Sequence, residues 1–306
     1  QPESADQPES ADQPESADRQ AQPQQAAPAA AAAPARNIIT VINNFANTVL
    51  NLTLKDVKID VSDTGSYWVE GKAALSVQGK GNVEIELDGN NELKSGVQRA
   101  GLEKNTSTST GTLTLKDDKE AGSGSLKATG GKYGAGIGGG NYGSGENITI
   151  TGGRVNATGG WGSAGIGGGN YGSGNYGSGK TITIKGGTVT AKGGDCGAGI
   201  GGGNGGIGEN IKITDGTVNA TGGIYGAGIG GGVNASGSNV TVSGAAQVTA
   251  TAGKSDGYYG AGATIGSGGN ETGGQPVDGE EIQADIRGVT TGYIHHIIYE
   301  QDGTTI

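Results

Sequence analysis

A short apolar–polar–apolar motif recurs about every thirty residues along most of the chain. Its copies are Leu52–Leu54, Val83–Ile85, Leu113–Leu115, Ile148–Ile150, Ile182–Ile184, Ile211–Ile213 and Val240–Val242. The last residues of successive copies lie 31, 30, 35, 34, 29 and 29 positions apart. Self-similarity at a period of roughly 20–50 residues is typical of repeat architectures, in which each unit packs mainly on its neighbours. The sequence therefore predicts an array of seven units.

Two further motifs follow the first within each glycine-rich unit. The second has copies at Leu126–Ala128, Val155–Ala157, Val189–Ala191, Val218–Ala220 and Val248–Ala250. The third is Gly-Ala-Gly-Ile-Gly-Gly-Gly at 134–140, 197–203 and 226–232, with variants at 163–169 and 260–266. Apolar–polar alternation between glycine turns indicates strands, and glycine disfavours helices by about 0.8–1.0 kcal/mol per residue. We therefore predict an all-β fold, a single-stranded parallel β-helix of about seven coils with three short strands per coil.

The composition fits a narrow core. Glycine accounts for 67 of the 306 residues and apolar residues for only 32%, whereas a globular domain has roughly 45% or more apolar residues. A two-layer enzyme core is therefore disfavoured, while a solenoid core of stacked Ile, Val, Leu and Ala needs few bulky side chains. The glycines occur in runs and not at every third position, which excludes collagen.

The predicted organisation has four parts. Residues 1–36 hold three copies of Gln-Pro-Glu-Ser-Ala-Asp and then a Gln-, Ala- and Pro-rich stretch, a composition typical of a disordered linker or stalk. Residues 37–50 are the candidate N-terminal cap and 51–274 are the repeats. Residues 275–306 are either a C-terminal cap or the start of a following domain.

The charge and the apolar content of the chain limit the classes of partner that it can bind. The net charge is −10, from 30 acidic and 20 basic residues, so the sequence lacks the basic footprint of a nucleic-acid binder. No apolar stretch approaches the roughly 18 residues that span a membrane, and we predict neither a nucleic-acid partner nor a membrane span. Cys196 is the single cysteine, which excludes an intrachain disulfide. We expect Cys196 to be a small buried or interfacial residue and not a nucleophile.

The glycine-rich units carry a family resemblance. They are preceded by patterns such as Leu87–Leu93 and Gly111–Asp118, and the region from about 50 to 270 resembles the extracellular repeat regions of cell-surface proteins from gut Gram-positive bacteria. The resemblance implies a right-handed, pectate-lyase-type β-helix. It also implies an extracellular location, secreted or displayed on the cell wall, and a carbohydrate-binding or adhesin-like role with a polysaccharide or host glycan as partner.

Aromatic residues recur at two positions of the coil, although the chain has a single Phe. One set precedes the repeat isoleucine by four or five residues and comprises Tyr133, Trp161 and Tyr225; the other follows the glycine run and comprises Tyr142, Tyr171 and Tyr176. Asn141, Asn170 and Asn204 also follow the runs. Stacked coils would align these rings in columns, and flat rings beside amides suit sugars. The alternatives are local packing over the glycine corners and self-association.

The acidic residues offer a weak metal site. Asp56, Asp117 and Asp215 share one turn column after the first motif, but glycine interrupts the column at other coils, whereas calcium takes roughly six to eight oxygen ligands. We expect solvated turns and no cofactor, with structural calcium as the alternative.

The predicted function is a non-catalytic adhesion or polysaccharide-binding module. Its alternatives are a structural spacer or self-assembling subunit, and a polysaccharide lyase or glycoside hydrolase. Catalysis needs paired carboxylates, or calcium with a basic residue. Neither Arg99 nor Arg154, the arginines of the repeat region, is expected beside an acidic cluster.

Overall fold

The computed structural model describes residues 33–118, 122–171 and 177–299. Residues 1–32, which make up most of the predicted linker, lie outside the described residues. The described chain is an all-β parallel solenoid, as predicted. Within these three ranges, no helix is long and apolar enough to cross a membrane.

The described residues form 24 strands. The first twelve are β1 (Ile39–Asn43), β2 (Val49–Lys55), β3 (Lys58–Asp60), β4 (Leu75–Gly79), β5 (Asn82–Asp88), β6 (Asn90–Lys94), β7 (Leu102–Glu103), β8 (Leu113–Lys116), β9 (Ser125–Thr129), β10 (Ile137–Gly138), β11 (Gly145–Ile150) and β12 (Arg154–Thr158). The rest are β13 (Ile166–Gly167), β14 (Gly179–Lys192), β15 (Ile200–Gly201), β16 (Gly208–Thr221), β17 (Ile229–Gly230), β18 (Gly237–Gly244), β19 (Gln247–Thr251), β20 (Ile265–Gly266), β21 (Asn270–Thr272), β22 (Gln275–Val277), β23 (Asp285–Val289) and β24 (Tyr293–Ile297).

These strands stack into three parallel ladders, one for each motif. The third ladder is an eight-stranded sheet in the order β1-β4-β7-β10-β13-β15-β17-β20. The first and second ladders belong to one 14-stranded sheet, because β14 and β16 each run through both motifs. Seven complete coils run from β2 to β20, with β1 before them and β23 and β24 after them. The hairpin β21–β22 pairs antiparallel.

The repeat spacing predicts the register of most coils. The first-motif pairs stack from Leu113 through Ile148, Ile182 and Ile211 to Val240, as predicted. The predicted alignment of the first two coils is wrong by two residues. Leu52 and Leu54 pair with Ile85 and Leu87, and Val83 pairs with Leu50. The shift follows from the period of two in a strand, because Leu50, Leu52 and Leu54 alternate and either pair fits the motif.

The core is one continuous apolar column inside the solenoid. Its third-ladder members Ile137, Ile166, Ile200, Ile229 and Ile265 are fully buried. Around each of them the chain doubles back: the backbone N–H of Ala135, for example, donates to the carbonyl of Gly139, 3.0 Å away. The glycines after these isoleucines adopt φ between 130° and 145°. A Cβ on Gly138 would lie 2.1 Å from the carbonyl oxygen of Gly167 in the next coil, so the close stacking of coils requires glycine there.

Each end of the solenoid carries strands from the predicted flanking segments. Residues 37–50 contribute β1 and the start of β2, and before them Ala35 bridges to Ile59 of the first coil. At the other end, β23 and β24 extend the first two ladders, pairing with β18 and β19. Glu281 lies across the end of the third ladder, where it forms an antiparallel bridge with Gly266.

Candidate functional site

An elongated groove of about 490 Å³ follows the turns that flank the third ladder. It crosses five consecutive coils, from the first to the fifth. The lining consists of aromatic and amide side chains: Tyr67, Trp68, Gln98, Tyr133, Asn141, Tyr142, Trp161, Asn170, Tyr171 and Asn204. Seven of the nine predicted ligand-binding residues are therefore in one place.

Backbone geometry explains why the two predicted aromatic sets meet. Because each glycine-rich segment doubles back around its isoleucine, the residue four positions before the isoleucine returns close to the residue four positions after it. The N–H of Asn170 donates to the carbonyl of Tyr133 in the preceding coil at 3.2 Å. The N–H of Asn204 donates in the same way to Gly162 at 2.7 Å. The columns before and after the isoleucine thus form the two walls of a single groove.

The aromatic rings contact one another edge to face. The ring centres of Trp68 and Tyr67 lie 4.5 Å apart, those of Tyr67 and Tyr133 5.8 Å, and those of Tyr133 and Trp161 5.6 Å. On the opposite wall Tyr142 and Tyr171 lie 5.4 Å apart. Interplanar angles of 61–85° mean that neighbouring rings do not form a flat platform. Tyr133 is buried beneath its neighbours, whereas Trp68 and Trp161 are 85% and 44% exposed.

Three tyrosines of the groove have left-handed backbone conformations. The φ values of Tyr133, Tyr142 and Tyr171 are 76°, 60° and 70°, a region that costs a residue with a Cβ roughly 1–2 kcal/mol. Glycine fills one position of each column, Gly162 with φ 74° in that of Tyr133 and Gly205 with φ 69° in that of Tyr171, whereas Cys196, Tyr225 and Asn234 outside the groove also have left-handed φ. The repeat can therefore use glycine at these positions, and packing of the fold alone does not require a ring.

A chain of side-chain hydrogen bonds orients one amide of the groove. Gln98 Nε2 donates to the carbonyl of Tyr67 at 2.9 Å, and Asn141 Nδ2 donates to Gln98 Oε1 at 3.3 Å. These bonds leave Asn141 Oδ1 as an acceptor. The buried oxygens Asn141 Oδ1 and Asn170 Oδ1 have no hydrogen-bond partner among the described residues. A buried polar atom without a partner costs roughly 1–3 kcal/mol, so either amide gains if it turns its oxygen toward a donor in the groove.

Two predicted residues are not part of the described groove. Tyr225 is buried against Cys196, Val233 and Tyr259, and burial together with its hydrogen bond to Asp256 raises the pKa of its hydroxyl. Tyr176 lies outside the described residues. The aromatic column is therefore divided, and Tyr225 belongs to a separate packed cluster.

Sequence reasoning missed three residues that line the groove. Tyr67 and Trp68 lie between β3 and β4, in a segment that has no counterpart in the repeat, so periodicity gives no signal for them. Gln98 precedes Leu102 by four residues, as Tyr133 precedes Ile137, and the repeat alignment could have identified it. Its φ of 71° matches that of the tyrosines.

The expectation that Arg99 lies away from acidic residues is wrong. Arg99 donates to Glu70 at 3.0 Å and to Glu103 at 2.6 Å, so this arginine does lie beside acidic residues. They come from the segment before β4 and from β7, which the alignment does not place together. Burial raises the pKa of the Glu103 carboxyl, against the lowering effect of Arg99.

The predicted metal candidates accept backbone hydrogen bonds, Asp117 and Asp215 within their own turns and Asp56 from the next coil. Asp56 Oδ1 accepts from the Asn90 N–H at 2.8 Å, Asp117 Oδ2 from Gly124 at 2.9 Å and Asp215 Oδ1 from Gly216 at 2.7 Å. Within the described ranges, no group of three or more His, Cys, Asp and Glu side chains could hold a metal ion. Burial raises the pKa of the Cys196 thiol to about 11, so the thiol is protonated at neutral pH.

The parallel ladders and their buried isoleucines define the class of this protein: it contains a β-helix repeat region. A family model described as a beta helix repeat matches residues 148–170, 182–204 and 211–233. Each match begins at a first-motif strand and ends just after the glycine run, and thus covers most of one coil. Comparisons with curated proteins and with solved structures gave no match.

Proposed function

We propose that the groove is a non-catalytic binding site for polysaccharide, in a β-helix module of a bacterial surface protein that is secreted or displayed on the cell wall. The left-handed tyrosines carry this proposal. Two successive coils place three rings where glycine would cost less, and all three rings line the same groove. Aromatic surfaces with a few polar groups are typical of ligand sites. Sugar rings have C–H faces that pack on aromatic rings and hydroxyls that reach the amides.

The absence of catalysis is also a proposal, and the ion pairs beside the groove support it. A glycosidase needs one carboxyl as acid and another as base or nucleophile. Glu70 Oε2 and Glu103 Oε1 both pair with the guanidinium of Arg99, so one cation holds the two carboxyls together and does not leave them as a separate acid and base. We therefore expect no new reducing ends when the protein is incubated with the polysaccharides that it binds.

A glycan array tests the proposal, with a matched pair of variants. Tyr171 and Tyr258 are both exposed, by 57% and 67%, and each has an edge-to-face neighbour, but only Tyr171 lines the groove. We expect Tyr171→Ala and Trp161→Ala to weaken glycan binding at least about tenfold, as central contacts of an interface do. Tyr258→Ala should change it by no more than about twofold.

Two results would contradict the proposal. One is that the wild-type protein binds no glycan on the array; the other is that Tyr171→Ala and Tyr258→Ala bind equally well. Circular dichroism of each variant separates loss of binding from loss of fold. Fractionation of the producing cell, with the protein recovered in the cytoplasm, would contradict the proposed location.

Self-assembly is the second candidate function, and one observation favours it. The first coil and its preceding strand expose Ile42, Phe45 and Val49 by 52%, 74% and 48%, at the edge where the parallel ladders begin. Exposed strand edges with apolar side chains favour pairing with another chain. Light scattering tests this candidate: wild-type protein that stays monomeric at all concentrations, with or without glycan, contradicts it.

A further inference from the structure

The groove differs in charge from the rest of the surface. The chain carries 30 acidic and 20 basic residues, yet all ten lining residues in the described part of the chain have uncharged side chains. The nearby cation Arg99 is shared between Glu70 and Glu103. A second, Lys132, lies beside the groove with its Nζ 5.1 Å from the centre of the Tyr133 ring, where the negative face of the ring attracts it.

An acidic polysaccharide would therefore find poor electrostatic complementarity. Its carboxylates would need cations or several N–H donors in the lining, because burying an unpaired charge costs much more than burying a hydroxyl. The net charge of −10 adds long-range repulsion. An uncharged polysaccharide avoids both the cost of burying an unpaired charge and the long-range repulsion.

The hydrogen-bonding groups of the groove point to a donor on the ligand. The orientation of the Asn141 amide is fixed through Gln98 and the Tyr67 carbonyl, with its Oδ1 left as an acceptor. Asn170 Oδ1, which packs against Gly162 on the other wall, is a second buried oxygen without a partner among the described residues. The residue is only 4% exposed. Sugar hydroxyls donate to such oxygens; a uronic acid keeps its C2 and C3 hydroxyls but replaces the C6 hydroxyl with a carboxylate, which only accepts.

The length of the groove indicates a ligand of several sugar units. Five coils are separated by four spacings of about 4.8 Å, so the groove extends about 19 Å along the solenoid axis. Rings line it from Trp68 in the first coil to Tyr171 in the fourth, and Asn204 lines it in the fifth. A single monosaccharide would fill only part of this length.

We infer that the ligand is a linear, uncharged polysaccharide that runs along the solenoid axis and donates hydroxyl hydrogen bonds to Asn141 and Asn170. This inference rests on the proposed function and adds the class of glycan. It predicts discrimination against carboxylated chains of the same linkage and an affinity that increases with chain length.

Matched hexasaccharides test the inference. Calorimetry compares β-1,4-mannan with β-1,4-mannuronan, and β-1,4-glucan with its C6-carboxylated form, since each pair differs only at C6. We expect at least one neutral hexamer to bind about tenfold or more tightly than its carboxylated partner. The matching disaccharide should bind at least about tenfold more weakly than that hexamer. Asn204→Lys, which adds a cation to the lining, should reduce the preference for the neutral chain.

The possible outcomes distinguish an error in the class of glycan from the absence of a polysaccharide site. Equal or tighter binding of a carboxylated hexamer, abolished by Trp161→Ala, overturns the inference and leaves the proposed polysaccharide site intact. Equal affinity for the disaccharide and the hexamer also overturns it. If no glycan on the array and no hexamer binds, the proposed function itself is refuted.

Discussion

A single methyl group at a coil contact should destabilise the solenoid far more than the same group in a surface turn. Gly230 and Gly257 both have positive φ, of 137° and 93°. A Cβ on Gly230 would lie 2.0 Å from the carbonyl oxygen of Gly266 in the next coil, whereas nothing lies within 4 Å of a Cβ on Gly257. Gly230→Ala and Gly257→Ala therefore share the conformational penalty of a positive φ but differ in the steric one.

The structure gives the size of the difference. To bring the new Cβ from 2.0 Å to an ordinary contact of 3.4 Å, the coils must separate by about 1.4 Å. The hydrogen bond from the Gly231 N–H to the Gly266 carbonyl, now 2.9 Å long, would then exceed bonding distance. Loss of a buried bond costs roughly 1–3 kcal/mol. The positive φ adds about 1–3 kcal/mol to both variants, so we expect Gly230→Ala to be the less stable by about 2 kcal/mol or more.

Urea denaturation followed by far-ultraviolet circular dichroism measures this difference. Because a repeat array can unfold in parts, amide exchange at Gly231 and Ile265 provides a local reading beside the global midpoint. The Gly230→Ala variant should exchange these amides faster than Gly257→Ala. Equal midpoints and equal exchange in the two variants would refute the view that backbone approach between coils, and not φ alone, requires glycine here.

Two further predictions concern buried titratable groups. Burial lowers the pKa of Lys104 to about 8. The folded state thus binds this proton less tightly than the unfolded state, and the stability contributed by this site rises with pH between about 8 and 10.5. Lys104→Met should be more stable than the wild type at pH 7 and lose that advantage by pH 10.5; a difference in Tm that does not change with pH would contradict this. Because burial raises the pKa of Cys196 to about 11, iodoacetamide at pH 8 should modify it slowly in the native protein and fast in urea, and equal rates would contradict this expectation.

The ladders could be predicted from the repeat because equivalent residues pack in the same way in each coil. The isoleucines from Ile137 to Ile229 recur at the same place in the motif, and one inward residue per coil fixes the register. The first coil differs because Leu50, Leu52 and Leu54 alternate over five residues. A strand that is apolar at three successive inward positions can slip by two residues without exposing its core face, so only the structure decides which pair continues the ladder.

Most residues of the groove could be predicted from the sequence, but the shape of the groove could not. The spacing placed Tyr133 and Tyr142 in separate columns, since nothing in the pattern shows that the chain doubles back around Ile137. Tyr67 and Trp68 come from a segment without repeat partners, and their contact with Tyr133 depends on tertiary packing. Tyr225 shares the motif position of Tyr133 but packs against Tyr259, which follows it by 34 residues in an irregular turn.

Departures from the repeat mark the site more clearly than the repeat itself. The repeat accounts for residues that every coil needs, such as the buried isoleucines and the glycines between coils. A ring at a left-handed position is an additional cost in backbone energy, which Gly162 and Gly205 avoid within the groove's own coils and which Tyr225 also incurs outside the groove. The groove ends at the fifth coil, beyond Tyr171, with Asn204 as its last lining residue. The third ladder continues for two more coils beyond the groove, so the stacking of coils does not by itself require rings at these positions, and the proposed polysaccharide site would account for them.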